Sequence, residues 1–434
     1  MNVLGFVLIA LFSGVILCGS RRVAVLAVFA SVCYVTQGQA LTVAGFNFFA
    51  HRIILLAGLI RIVARGELRA LKFNRIDWVM LISAVVSTII PIIRLGVWKE
   101  QVGGAYNVLL AYFLFRCLVT DLEDVEQLLP KLAILILPLA LCMAFESLTK
   151  TNPFNVMGGQ LAGWERAGRL RCFGSFRSPH TAGIFGATLV PLFIWLFLRR
   201  PQRGAAIAGL VGASVITYTS NSSDPLMAFL SGLVGLAFWP LRKNMRRVRW
   251  GIVGLLVVLA LSMKAPIWYL MSKVSDVTGG DGWYRSYLME QCFNHMSDWW
   301  LLGTDNTVDW ASTHMWWGGT DLCNMYVSCA ACCGLAGLVL FVLLLVWCFS
   351  ALGQALKKTD EIMPQSAELL WCIGSVLFAH VCALFSNTYY DQLLVVWWGF
   401  LAVISSVTSS ILTQAEAGEE LEHAAETASE ELPA

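Results

Sequence analysis

The sequence predicts an all-α, polytopic integral membrane protein with about twelve to thirteen transmembrane helices and two long external loops. Hydrophobic residues make up 58% of the 434 and charged residues only 13%, more apolar side chain than a water-soluble fold of this length can hide. Mean hydropathy is +0.69. The apolar residues fall in runs of roughly 16 to 25, the length a helix needs to cross ~30 Å of hydrocarbon at about 1.5 Å per residue.

In chain order the expected spans are 2–19, 23–37, 45–64, 77–94, 103–119, 131–148, 180–198, 205–219, 223–239, 251–264, 323–350, 367–386 and 392–412. The short segments 205–219 and 251–264 carry the weakest signal, which makes twelve the other count. No basic residue precedes the first apolar stretch and no small-x-small site clearly follows it, so it is expected to remain as a span rather than be cleaved.

Orientation follows from Lys and Arg in short loops, because the cytoplasmic side keeps the positive excess. Arg65, Arg69, Lys72 and Arg75 form one basic loop, Arg199, Arg200 and Arg203 another, and Arg242, Lys243, Arg246, Arg247 and Arg249 a third. Counting spans puts all three on one side. Loops 149–179 and 265–322 then lie outside, in the periplasm, within a single membrane domain over 1–412. The tail 413–434 holds seven Glu and no Lys or Arg, a composition expected to be disordered, in the cytoplasm.

The net charge of +2 gives no reason to expect nucleic acid as a partner, since the basic residues serve topology. Most of the 13 Cys lie inside expected spans, where a thiol behaves as a small apolar group. Cys172 and Cys292 fall outside them, and Cys323 is the first residue of one, at its outer end. The Cys329, Cys332 and Cys333 group, which includes one CxxC, sits in an apolar stretch with no histidine partner or second pair at zinc spacing and reads as packing, so neither metal nor cofactor is expected.

The external loops hold the informative charges. Loop 149–179 carries Lys150, Arg166, Arg169, Arg171 and Arg177 against Glu165, an inversion of the positive-inside preference. Binding of phosphate or diphosphate suits the rigid donor fork of guanidinium; contact with lipid head groups or pairing with the other loop is the alternative. Loop 265–322 complements it with seven acids against Lys273 and Arg285, so the two loops are expected to dock. Its stretch 283–300 sets Trp283, Tyr284, Tyr287, Trp299 and Trp300 among Arg285, Glu290, His295 and Asp298. Aromatic faces beside hydrogen-bonding acids suit sugar rings, and an interfacial helix suits the same residues.

The run Arg171-Cys172-Phe173-Gly174-Ser175-Phe176-Arg177-Ser178-Pro179-His180 resembles the R-x-x-G-x-F-x-x-P-N/H signature of the O-antigen ligase and polysaccharide polymerase superfamily. Weaker features follow in the family's order. Thr219-Ser220-Asn221-Ser222-Ser223 opens a span, Arg285 begins a helix leading to Trp300-Leu301-Leu302-Gly303, and Asp321-Leu322-Cys323-Asn324-Met325-Tyr326 precedes a span bearing Gly334 and Gly337. The resemblance covers residues 165–350.

The resemblance implies a metal-independent glycosyltransferase at the outer face of the bacterial inner membrane, with a glycan on polyprenyl (undecaprenyl) diphosphate as donor and a glycan or lipid as acceptor. Membrane lipids and other polysaccharide-assembly proteins are the remaining expected partners. Arg171 and Arg285 match the family's diphosphate-holding positions; Arg169, Arg177, His180, Asn324 and Glu290 are the further substrate-binding candidates. The family's ligases carry a histidine just before the asparagine, where this chain reads Asp321-Leu322-Cys323-Asn324. Asp321, with His314 as substitute, is therefore the candidate base, an N-cap role being its alternative. His180 either touches substrate or satisfies the N-terminus of its own span. The missing histidine favours a polymerase of exopolysaccharide or O-antigen over a ligase joining glycan to lipid A core. A transporter or lipid-linked sugar flippase shares the many spans, but such proteins place their charges near the bilayer midplane.

Overall fold

A computed structural model of the chain describes residues 1–434 apart from 44–45, 161–162, 164, 167, 274–281, 311–319, 361–363 and 431–434. Every expected span coincides with helix over most of its length. The helices are α1 (Val3–Cys18), α2 (Arg21–Tyr34), α3 (Ala50–Ala64), α4 (Arg75–Leu95), α5 (Trp98–Leu118), α6 (Leu122–Leu135) and α7 (Leu137–Thr149). They continue as α8 (Pro179–Leu198), α9 (Arg203–Thr219), α10 (Ser223–Ala237), α11 (Met245–Ser262), α12 (Gly282–Asn294), α13 (Met325–Thr359), α14 (Pro364–Leu384) and α15 (Asp391–Glu430). Two small antiparallel hairpins, β1 (Ala40–Val43) with β2 (Phe46–Phe49) and β3 (Glu165–Arg166) with β4 (Arg169–Leu170), lie between helices.

Among the described residues, six helical stretches are long and apolar enough to cross a membrane: α4, the α6–α7 run Leu122–Thr149, α8, α13, α14 and α15. A seventh arises if α10 and the Trp239–Ser262 segment, bent by 68°, count as one span. The other expected spans fall on helices that are shorter or more polar, such as α1 with 16 residues and α2 with 14.

Helix α8 is the hub. It is apolar on every side, as a helix enclosed by neighbours must be, and packs on α9, α10 and α14. Helix α11 is the opposite case, with no buried residue and Leu255, Val258 and Leu261 exposed along an apolar surface that suits lipid.

Helix α13 has 35 residues, about 52 Å if straight, and breaks at Gly334, where φ is 66° and ψ −162°. The cause is an inserted loop. Thr304 N donates to Ala331 O at 2.7 Å, taking the acceptor that Leu335 N would use in a regular helix, and Leu335 N donates instead to Trp300 O at 2.9 Å. Arg94 Nη1 donates to the carbonyls of Leu302 and Cys332 at 2.8 and 3.2 Å. A Cβ at Gly334 would lie 2.5 Å from Leu301 O, so only glycine fits here.

The tail departs from expectation. Instead of disorder, α15 continues to Glu430. Ala and Glu are strong helix formers, so Ala415-Glu416-Ala417 extends a helix already nucleated by packing, and Lys358 pairs with Glu419 beside it.

Candidate functional site

The Arg171–His180 run is a turn held by its neighbours before it is a site. The buried Glu146 of α7 accepts from Phe173 N at 3.0 Å and Gly174 N at 2.9 Å, and Asn152 Nδ2 donates to Gly174 O at 3.0 Å. Gln392 Nε2 donates to Ser175 O at 2.8 Å, and Cys172 N to Thr219 O at 3.1 Å. Gly174 has φ 57°, and a Cβ there would lie 2.9 Å from both Leu139 and Met143. The backbone of the turn is thereby fixed on four separate segments.

This brace sends Arg171 inward, where it is 6% exposed. Its Nη2 lies 3.0 Å from His180 Nε2 and 3.3 Å from Ser222 Oγ. Ser178 caps α8 by accepting from His180 N, which leaves the His180 ring for other partners. The ring reaches across to the first turn of α10, with Nδ1 2.7 Å from Ser222 Oγ and 3.0 Å from Asp224 Oδ2. In the neutral ring this arrangement puts the proton on Nδ1, facing Asp224, and leaves Nε2 to accept from Arg171.

Asp224, only 1% exposed, is the hinge of the cluster. Arg285 of α12 approaches it from the other loop, Nη2 to Oδ1 at 2.5 Å. Loops 149–179 and 265–322 thus meet through one carboxylate, each contributing a buried arginine. Arg285 Nε is itself buried without a hydrogen-bond partner among the described residues. Asp224 was not singled out in the sequence; its signal was a lone acid in the first turn of an apolar helix, where charge is costly without partners.

Asp321 stands at the rim. Its alternative role as a helix cap falls away, because Asn324 caps α13, its Oδ1 accepting from Tyr326 N and Val327 N at 2.9 and 3.1 Å. Asp321 is exposed as a residue, yet desolvation of its carboxyl by the surrounding protein raises it above the usual aspartate value, against the pull of His180 and Arg285. Burial likewise pushes the neighbouring Cys323 thiol up to about 12, in spite of the adjacent Arg285 guanidinium. Tyr284 Oη, also pushed up to about 12 by burial, donates to Asp321 O at 3.2 Å and ties the rim to α12.

Of the other expected residues, the exposed Arg177 reaches Asp391 at 3.6 Å on the same rim. Arg169 and Glu290 do not join. Arg169 is exposed on β4, its guanidinium 5.4 Å from the Tyr218 ring centre. Glu290 lies five residues beyond Arg285, roughly 140° further round α12, and accepts from Tyr269 Oη instead. His314 lies outside the described residues. In the aromatic stretch Trp283 and Tyr287 stack at 5.3 Å, with Trp283 exposed, while Trp299 is buried in a small satellite core with Trp310.

Helices α8 and α10 begin at the cluster and α9 ends beside it, so partial charges of both signs meet there. Arg171, Arg285 and Arg177 stand with Asp224, Asp321 and Asp391, so the formal charges balance. Among the described residues, no group of three or more His, Cys, Asp or Glu side chains is placed to hold a metal ion. No protein-family model matches the chain, and no curated protein is similar to it.

Proposed function

We propose that this protein is a membrane glycosyltransferase that transfers or polymerises a polyprenyl-diphosphate-linked glycan at the outer face of the bacterial inner membrane, as a polymerase in preference to a ligase. The observation that carries the reading is the linkage of Arg171 and Arg285, brought from two separate loops, through His180 and Asp224 at the first turns of α8 and α10. In this reading the two guanidiniums hold the diphosphate, and Asp224 with His180 keeps them in position until it arrives.

The chemistry then needs one base and one leaving group. The acceptor hydroxyl gives its proton to Asp321 as its oxygen bonds the anomeric carbon. The bond from that carbon to the diphosphate oxygen breaks, and the electron pair leaves on the lipid diphosphate, whose added charge the arginines hold. Exposed Trp283 stacked with Tyr287 offers an aromatic face for the glycan on the same helix as Arg285.

The test is purified protein in lipid nanodiscs with a synthetic polyprenyl-diphosphate oligosaccharide and a chelator. The expected product is a ladder of longer glycans on the lipid. Transfer of a single glycan to an added lipid acceptor, with no ladder, replaces the polymerase by a ligase. Movement of the intact lipid-linked sugar across a sealed vesicle without bond formation overturns the enzyme reading in favour of a flippase.

A further inference from the structure

The middle of α15 borders a second charged recess with a different construction. A cavity of about 640 Å³ opens there, lined on one side by Arg21, Arg61, Arg65, Lys72 and Arg116 and containing one carboxylate, Glu67. The residues Ser409 and Thr413 that also line it lie some twenty positions beyond Asp391, about 30 Å along the helix from the candidate site. The two recesses are therefore a membrane's thickness apart.

Three of the cations are fixed in place. Arg61 is fully buried and bonds Glu67 through Nε and Nη2 at 3.3 and 3.1 Å, and its Nη1 donates to the carbonyls of Ile16 and Gly19 at 2.6 and 2.7 Å. Arg65 closes the C-terminal end of α1 by donating to Leu17 O and Gly19 O at 2.7 and 3.1 Å. Arg116 is held by Asp77 from behind. The cavity's own carboxylate is thus already engaged, and these cations form a rigid wall.

Arg21 and Lys72 differ, because both are exposed and neither side chain bonds a protein group among the described residues. Ser409 and Thr413, four apart on one face of α15, add two hydroxyls to the lining. Topology alone asks for positive charge on this face but not for a concave enclosure of it, and a concave wall of one sign focuses its field on whatever enters. The volume falls in the range of small-molecule sites, larger than a lone ion needs.

We infer that this cavity binds a phosphate-bearing ligand, with Arg21 and Lys72 closing on the phosphate and the fixed arginines supplying the field behind it. The phosphate belongs either to the head group of an anionic lipid in the adjoining leaflet or to a free phosphorylated compound. The inference stands apart from the glycosyltransferase reading, because no residue is shared between the two recesses.

The test compares wild type with the double variant Arg21→Gln, Lys72→Gln, neither position having a structural partner to lose. In one arm, protein in uncharged detergent is titrated with phosphatidylglycerol and retained lipid is counted by native mass spectrometry. In the other, lipid-free protein is titrated with pyrophosphate at constant ionic strength and binding is read from the rise in melting temperature. Any pyrophosphate held by Arg171 and Arg285 raises both proteins alike and cancels.

The expected result is a loss of affinity of about tenfold or more in the double variant in one arm. A loss confined to phosphatidylglycerol identifies a head group, and a loss with pyrophosphate identifies a free phosphorylated compound. Equal binding by both proteins in both arms overturns the inference. If the double variant melts lower without ligand, Lys72→Gln alone is carried through the same two arms.

Discussion

Two buried arginine–aspartate pairs sit at opposite ends of the helices, and they are built differently. At one end Asp77 accepts from Arg116 Nε at 3.1 Å and Nη2 at 3.2 Å, from Tyr112 Oη at 2.6 Å, from Ser405 Oγ at 2.9 Å and from Asn74 N at 2.9 Å. Arg116 spends its other donors on Ser406 Oγ and Lys72 O at 3.2 and 3.0 Å. Both oxygens and all three nitrogens are occupied. At the other end Asp224 meets Arg285 and His180, a second arginine stands behind the histidine, and Arg285 Nε has no hydrogen-bond partner among the described residues. A saturated pair ties α4, α5 and α15 together; an unsaturated one with surplus cation is suited to receive an anion.

The largest effect is expected at the saturated pair. Asp77→Asn removes the charge that balances Arg116 and leaves a buried guanidinium uncompensated, a change that costs about 3 to 5 kcal/mol. Measured as the melting temperature of purified protein and its level in the membrane, both should fall steeply, with the activity of the surviving folded fraction unchanged. A variant that keeps its stability and loses its chemistry instead would erase the distinction between the two ends.

At the site end the loss should appear in rate rather than in folding. Lysine keeps the charge of Arg171 or Arg285 but replaces a two-pronged donor by a point charge. Arg171→Lys and Arg285→Lys should each slow glycan transfer about 100- to 1000-fold, or about 2.7 to 4 kcal/mol of barrier, while melting close to wild type. Lysine variants that polymerise at the normal rate would reduce the two arginines to head-group or packing contacts. A variant as unstable as Asp77→Asn would make the second pair structural like the first.

How far this contrast was legible in the sequence differs residue by residue. Arg171 stood out because it sits in a cation-rich loop expected outside against topological preference, and both it and Arg285 because they match a family pattern. Asp224 did not, because its role depends on the α9–α10 turn, where Asn221 takes φ 44° and brings the first turn of α10 against His180 of α8. Nothing local in Thr219–Ser223 announces that crossing. Glu290 failed for a related reason, since proximity to Arg285 in sequence says nothing of the opposite face of α12. Helix positions were legible from hydropathy, but not the break at Gly334, which is made by the Trp299–Thr304 segment inserting from elsewhere. The acidic tail was misjudged because its charge was weighed above the helix propensity of its Ala and Glu.

A smaller effect separates the brace from the site it supports. Gly174→Ala forces a left-handed φ of 57° on a residue with a Cβ, about 1 to 2 kcal/mol of strain, and presses that carbon against Leu139 and Met143. The bonds from Glu146 and Asn152 oppose any shift, so the turn and with it Arg171 are expected to move slightly. Transfer should slow by about tenfold, with a melting temperature lowered by a few degrees. Full activity in Gly174→Ala would show that the position of Arg171 does not depend on this turn.

The smallest expected change is a displacement of a pH limb, and it probes whether the two ends differ in chemistry as well as in bonding. In the proposed mechanism Asp321 must be deprotonated to accept the acceptor's proton, so activity is expected to rise with pH through its pKa. Desolvation raises that pKa above the ordinary aspartate value of about 3.9, which places the acid limb of kcat/KM higher than a solvated carboxylate would. Arg285 opposes the rise, because a nearby positive charge favours the carboxylate. Replacing Arg285 by Gln removes that opposition and should move the acid limb of the residual activity to still higher pH, whereas Arg285→Lys, which keeps the charge, should leave the limb where it is in wild type. Asp321→Asn should remove the limb together with most of the rate, since no titrating base remains at the rim. A limb that stays fixed in both Arg285 variants, or an Asp321→Asn protein that still polymerises with the wild-type pH profile, would take the proton transfer away from Asp321 and leave the recess as an anion site alone.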